Sequence, residues 1–213
     1  MKWVSKGKPY NKRKYVEQNL VDYDPRLLEF KINGTLYLEG YWQSENYFKD
    51  IESLIRNDLQ VVSPINTENK LLGEKIMNED AVCLHVRMFN KTDVSGPHNL
   101  SKDYYHRAIK RLEVDYLPSH YYVFSENPEF AKRVLPSTLK KVIYVTHNDH
   151  SQAYADLRLM SLCKAFVTAN SSFSWWGAWL SGSEHVVAPD IMLNSTGPYW
   201  GFKGLIPEYW TII

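Results

Sequence analysis

The stretch Ala169-Asn170-Ser171-Ser172-Phe173-Ser174-Trp175-Trp176-Gly177-Ala178-Trp179-Leu180 decides how this chain is read. It follows a short apolar run, Ala165, Phe166 and Val167, and has the pattern of a strand end, a polar turn and an opening helix. Ser171 or Ser172 is placed to cap that helix, because a serine hydroxyl accepts a bond from an otherwise unpaired first-turn N–H. A helix that opens with free N–H groups and hydroxyls directly after a strand suits a phosphate. The three tryptophans fix the helix against the body of the domain through large aromatic surfaces. The local pattern leaves two readings open: a phosphate-binding turn, or a capped and buried helix that carries no ligand.

Working outward, apolar and polar runs alternate along most of the chain. Tyr47, Phe48, Ile51, Leu54, Ile55 and Leu59 have helical spacing and predict a helix over 45–59. A second helix is predicted over 68–77, and the continuous apolar run 81–86 reads as a strand buried on both faces. Ser101 caps a helix that reaches about Glu113, and 120–124 is the next strand. Asn127-Pro128 opens another helix, with proline in its tolerated first-turn position. Strands over 142–145, 165–167 and 185–188 alternate with helices over 151–163 and 173–180. That alternation predicts an α/β domain: a parallel sheet with helices on both faces. The first forty residues, rich in tyrosine and lysine and broken by Pro9 and Pro25, are expected to form an irregular arm (1–40) ahead of a single domain (41–213).

Bulk properties narrow the function classes. The 213 residues are 44% hydrophobic and 23% charged, globular values that allow a sizeable core. A net charge of +1 lacks the strong basic excess of a nucleic-acid footprint, so no nucleic-acid partner is expected. Lys2, Lys6, Lys8, Lys12, Arg13 and Lys14 cluster at the start, either as a solvated terminus or as a patch for an anionic membrane surface. No apolar run has the length of a membrane span and the first twenty residues lack a signal-peptide core, so a cytoplasmic location is expected. Cys83 and Cys163, in a strand and at a helix end, read as reduced core residues.

Polar residues gather where the predicted strands end. Arg87 lies past the first strand of the alternating series, Ser125 and Glu126 past the second, His147-Asn148-Asp149 past the third, and Asn170-Ser171-Ser172 past the fourth. Ligands of open parallel sheets bind at that carboxyl edge. Arg87 presents a fixed fork of donors suited to a diphosphate; its plainer reading is an edge ion pair. His85 reads as a neutral core histidine and Asp156 as a helix-surface charge, but a carboxylate can also accept the N1–H and N2 donors of guanine. Asp22-Tyr23-Asp24 and the group His147, Asp149 and His150 mimic metal-binding patterns, too weakly to assign a metal.

The serine–tryptophan stretch does not stand alone. Leu84-His85-Val86-Arg87, Tyr122-Val123-Phe124-Ser125, Asp156-Leu157-Arg158-Leu159-Met160-Ser161-Leu162-Cys163 and Leu205-Ile206-Pro207-Glu208-Tyr209-Trp210 accompany it. Together, in this order, they resemble the α-1,2-fucosyltransferases of glycosyltransferase family 11, whose C-terminal motif reads S-[ST]-F-S-W-W-G-A-W-L. The similarity runs from about Tyr37 to the C-terminus. It implies a Rossmann-like sheet equivalent to the C-terminal, donor-binding half of a GT-B glycosyltransferase. The implied reaction is inverting, metal-independent transfer of L-fucose from GDP-fucose to the 2-hydroxyl of a galactoside. The implied partners are a GDP-sugar donor and a galactoside-containing glycan acceptor, with no cofactor.

The resemblance also assigns residues. The donor site it outlines comprises His85, Arg87, Ser125, Asp156, Asn170, Ser171, Ser172, Phe173 and Ser174, with His85 and Asp156 at the guanine base. The family's H-x-R-R-x-D motif appears as His85-Val86-Arg87-Met88-Phe89-Asn90, so its second arginine and its acid are replaced. The family's N-terminal half, with its L-G-N-Q-[ML]-F-Q-Y-A loop, has no match in the chain. The alternatives are therefore a catalytically silent GDP-sugar-binding fragment or degenerate paralogue, or a half complemented by a separately encoded N-terminal half. Inverting transfer requires a base for the acceptor hydroxyl. Glu126, Asp149 and Asp93 qualify by residue type, and the sequence does not choose among them.

Overall fold

A computed structural model describes residues 6–18, 22–89, 99–190 and 203–213. The chain divides into two compact units, Met1–Ile55 with Ile191–Glu208, and Arg56–Asp190 with Tyr209–Ile213. In the first, two short strands, β1 (Tyr15–Glu17) and β2 (Tyr37–Glu39), pair in parallel. Val16 is buried on β1, whereas every residue of β2 is exposed. Short 3-10 turns connect and follow these strands, among them Pro25–Glu29, Glu45–Tyr47 and Lys49–Ile51. The helix predicted over 45–59 is consequently shorter, α1 at Glu52–Asp58. Ser44 caps the turn at Glu45, and Phe48 breaks the helical run with φ −142°.

The second unit holds the main sheet. Helix α2 (Thr67–Met77) leads into β3 (Ala81–His85), then α3 (Lys102–Asp115), β4 (His120–Phe124), α4 (Pro128–Val134) and β5 (Val142–Val145). Helix α5 (Ala153–Met160), β6 (Ala165–Val167), α6 (Ser172–Ser181), β7 (His185–Ala188) and β8 (Thr211–Ile212) complete it. Among the described residues the sheet has six strands in the order β5-β4-β3-β6-β7-β8, and each neighbouring pair is parallel.

Side-chain chemistry accounts for these elements. All of β3 is buried, as a central parallel strand covered on both faces must be. Asn66, Ser101 and Asn127 cap α2, α3 and α4 through hydrogen bonds to first-turn N–H groups, and Pro128 follows Asn127 as expected. Gly182, at φ 72°, ends α6 in the left-handed conformation that glycine adopts without strain. On one face of the sheet, Val82, Leu84 and Val86 pack with Tyr104, Tyr105, Ala108, Ile109 and Leu112 of α3. The alternate residues of β3 point to the other face, where the His85 ring meets Phe173 of α6. There α5 and α6 approach closely: a Cβ at Gly177 would lie 3.2 Å from Met160 Cβ.

The strand order sets the position of the site. From β3 the chain moves outward through β4 to β5, then returns to place β6 on the other side of β3. The direction of winding reverses between β3 and β6, a topological switch point. The carboxyl ends of these two strands carry His85 to Arg87 and Thr168 to Ser171.

Candidate functional site

At the end of β3, Arg87 is half exposed and its Nε lies 3.5 Å from Glu126 Oε1. Glu126, the more buried partner, also accepts the Met88 N–H at 2.9 Å. The edge ion pair anticipated for Arg87 therefore exists. It engages Nε, and Arg87 also lies over the Phe89 ring, 5.5 Å from its centroid. Met88, where the resemblance implies a second arginine, is 5% exposed and belongs to the core cluster. Its sulfur accepts from Asn127 Nδ2 at 3.3 Å. That position is apolar by environment as well as by residue type.

His85 is 5% exposed, and its Nδ1 is buried without a hydrogen-bond partner among the described residues. Burial first, and then the Arg87 charge, push its pKa down to about 3, so the ring is neutral at physiological pH. Its backbone oxygen accepts from the Tyr105 hydroxyl at 3.2 Å, which ties the strand end to α3. The tip of β6 is tied to the same helix by the Tyr104 hydroxyl, which donates to Thr168 O at 2.6 Å.

The turn between β6 and α6 differs from the expected cap. Ser171 occupies the N-cap position with extended backbone, but its hydroxyl makes no capping bond. A different serine closes the turn: Ser174, 1% exposed, accepts the Ala169 N–H at 2.9 Å. Ser172 is exposed, with Asn170, Ser171 and Phe173 part-buried beside it. The first-turn amides of α6 have no intrahelical partner and carry the positive end of the helix dipole. The tryptophans lock this helix. Trp175 and Trp179 stack at 6.0 Å with planes 7° apart, Trp176 packs edge-on to both, and the Arg56 guanidinium covers Trp179 at 4.0 Å.

A third cluster lies past the end of β5. Asn148 Nδ2 donates to Asp156 Oδ1 at 2.7 Å, and Asn148 exchanges amide bonds with Asn69 of α2 at 2.8 and 3.0 Å. His147 Nε2 is 2.9 Å from Asn69 Oδ1. Asn69 is 2% exposed and holds the loop to α2. Burial raises the Asp156 pKa, opposed by the Asn148 bond and His147. The sequence pattern did not single out Asn69. Its signal was slight, an asparagine in the first turn of a helix already capped by Asn66.

Other sequence candidates do local structural work. The Ser125 hydroxyl accepts the Asn127 N–H at 3.1 Å and so braces the start of α4. Asp149 caps the turn His150–Gln152, and the Ser151 hydroxyl and N–H lower its pKa, leaving it a weak base. Asp24 forms two bonds to the Arg26 guanidinium, at 2.8 and 2.7 Å, and Asp22 accepts the Lys203 N–H at 2.9 Å. Among the described residues no three potential ligands form a metal cluster, and no helix is long and apolar enough to cross a membrane. Asn90 and Asp93 lie outside the described residues. In the basic N-terminal stretch, Lys6 pairs with Glu17 at 3.0 Å and Arg13 donates to Lys8 O at 3.1 Å.

A parallel sheet of this order, with polar groups at its switch point, defines a Rossmann-like α/β domain. The chain belongs to glycosyl transferase family 11, whose family model matches residues 8–196 and so extends further towards the N-terminus than the quoted motifs. An Escherichia coli alpha-1,2-colitosyltransferase is 30% identical over 162 residues, covering 72% of this chain and 56% of that protein. The E. coli O-antigen biosynthesis glycosyltransferase WbnK is 30% identical over 186 residues, 78% of this chain and 60% of its own length. A galactoside 2-alpha-L-fucosyltransferase of Caenorhabditis elegans is 26% identical over 175 residues, 75% and 47% of the two chains. This chain thus spans about half to three-fifths of the length of these relatives.

Proposed function

We propose that this chain forms the donor-binding part of an inverting α-1,2-glycosyltransferase. Its proposed donor is GDP-fucose and its acceptor hydroxyl the 2-position of a galactoside. The observation that carries this reading is Arg87 at the switch point of a family 11 chain, with Nε on Glu126 and the α6 amides at the neighbouring strand end. The names of two relatives support the linkage, since one is an alpha-1,2-transferase and the other a galactoside 2-transferase. In the reaction, the acceptor oxygen attacks the anomeric carbon, its proton passes to a base, and the diphosphate departs with the bonding electrons. Arg87 and the first-turn amides of α6 would stabilise the charge developing on that diphosphate. Phe173 would pack against the base beside neutral His85, and Asp156 would accept the guanine N–H groups. No metal or cofactor has a part in this scheme.

The buried Met88 favours a second reading, in which the chain binds donor without turning it over. An arginine lost from the phosphate centre removes a group typically worth ~3 kcal/mol of transition-state stabilisation. Thermal melts with nucleotides test binding, and a transfer assay on a lactose-type acceptor tests turnover. GDP at ~100 times its Kd should stabilise the chain by about 2.7 kcal/mol. ADP should do less, and Arg87→Ala should remove most of the shift. Arg107→Ala, on an exposed face of α3, is the control and should leave it unchanged. Equal shifts with GDP and ADP would remove Asp156 from base recognition. Fucosylated product that depends on Arg87 would reject the silent reading.

A further inference from the structure

Polar groups of the second unit also gather away from the carboxyl edge of the sheet. At the opposite edge, where β4 and β5 begin, α3 and the loop that enters β5 border an open cavity of about 650 Å³. That is within the usual size range of small-molecule sites. Its lining includes the buried Ile109, the part-buried Leu139, and Pro136, which give it an apolar side. Lys110, Lys140 and Lys141 also line it, and all three are exposed.

The charge around the cavity is unbalanced. The lysines face one carboxylate, Glu113, which already accepts the Tyr121 hydroxyl at 2.5 Å. His106 also lines the cavity, while its Nε2 is buried beneath the surface with no hydrogen-bond partner among the described residues. Lys141 is held at φ 57°, a left-handed conformation that residues with side chains disfavour, and its carbonyl accepts the Tyr121 N–H at 3.0 Å. Strain of this kind tends to persist at functional positions.

We propose that this cavity is a second binding site, for a phosphate ester that carries an apolar tail. The tail lies against Ile109, Leu139 and Pro136, and the phosphate sits among the three ammonium groups. A phosphate monoester matches this set better than a carboxylate, because near neutral pH it carries close to two charges and several acceptor oxygens. The site is independent of the donor reading, since none of its lining residues belongs to the switch point. Such an ester comes either from the headgroup of a lipid or from a soluble phosphorylated amphiphile.

Calorimetry on the whole chain tests the site with decyl phosphate, decyl maltoside below its micellar concentration, and inorganic phosphate. Decyl phosphate should bind, inorganic phosphate more weakly, and decyl maltoside not at all. The combined Lys110→Gln, Lys140→Gln and Lys141→Gln variant should bind decyl phosphate on the order of tenfold more weakly, with an unchanged melting shift on GDP. If that variant folds poorly, the three single substitutions should each weaken binding. Three results would overturn the proposal: equal binding of decyl maltoside, inorganic phosphate binding as tightly as the ester, or an affinity unaffected by loss of the lysines. Vesicles separate the two sources. Lysine-dependent sedimentation with phosphatidic acid but not phosphatidylcholine assigns a lipid headgroup. Binding of decyl phosphate without sedimentation assigns a soluble ester.

Discussion

The ends of β3 and β5 hold polar groups in different ways. Past β3, Arg87 is half exposed and meets Glu126 at 3.5 Å, a loose contact that leaves the guanidinium able to change partner. Past β5, Asn69 and Asn148 form a closed amide pair that fixes one Asp156 oxygen at 2.7 Å. An exposed ion pair contributes little to stability and gives way readily to a better anion. A satisfied buried network resists change, because breaking one bond strands its partners. In the proposed donor site, the difference would let the Arg87 guanidinium respond to a phosphate while the Asp156 carboxylate is set beforehand.

Four measurements would break or sharpen that contrast. The largest effect is expected from Met88→Arg, which would put a cation into the core beneath the β3 end. Urea denaturation should show a loss of about 3 kcal/mol or more, and no change would mean the strand end yields more than its packing implies. Asn69→Ala strands Asn148 and His147 together and should cost about 2–3 kcal/mol. It should also narrow the preference for GDP over ADP, and a preference left intact would show that Asp156 holds its place unaided.

His85 gives a pH signature. Its folded pKa is depressed to about 3, below the ordinary histidine value, so the unfolded chain binds the extra proton. Stability from this residue is complete above about pH 6.5 and is lost as pH falls towards 3, by up to ~1.4 kcal/mol per pH unit. Asp156 acts in the opposite sense: burial raises its pKa, so the stability it gives is complete below the ordinary aspartate pKa and is lost as pH rises through the raised one. Denaturation from pH 7 to 4 should flatten in His85→Gln, and an unchanged slope would mean the ring is solvated. The smallest stability effect is expected from Arg87→Ala, under ~1 kcal/mol, beside the large effect on GDP binding that the proposed function requires. A greater loss would make the β3 end as rigid as the β5 end.

Strands were the most legible elements in the sequence. Apolar runs at 120–124, 142–145, 165–167 and 185–188 became strands with those limits, because a doubly covered parallel sheet writes its burial directly into composition. Strand β8 escaped notice because two residues carry no period. The turns around Ser44 and Phe48 were hidden by apolar residues that keep helical spacing across a backbone break. Within the site, Arg87 and the serine turn stood out by residue type and position. What sequence could not show was which serine hydroxyl turns inward, that Met88 is buried, and that Asn69 supports the loop bearing Asn148. Each depends on side-chain direction, which spacing leaves open.

The pairing of β3 with β6 has a consequence for how the molecule forms. Val82 lies beside Ala165, with two strands and three helices of intervening chain between them. Contacts so distant in sequence incur their loop-closure entropy before any compensating interaction arises, and they slow folding. While the chain is being synthesised, β3 can pair early with β4, but its other edge stays open until Ala165–Val167 has left the ribosome. An apolar edge open for that interval invites pairing with another nascent chain. The reversal that forms the switch point thus also sets an interval in which the unfinished protein is exposed to misassembly.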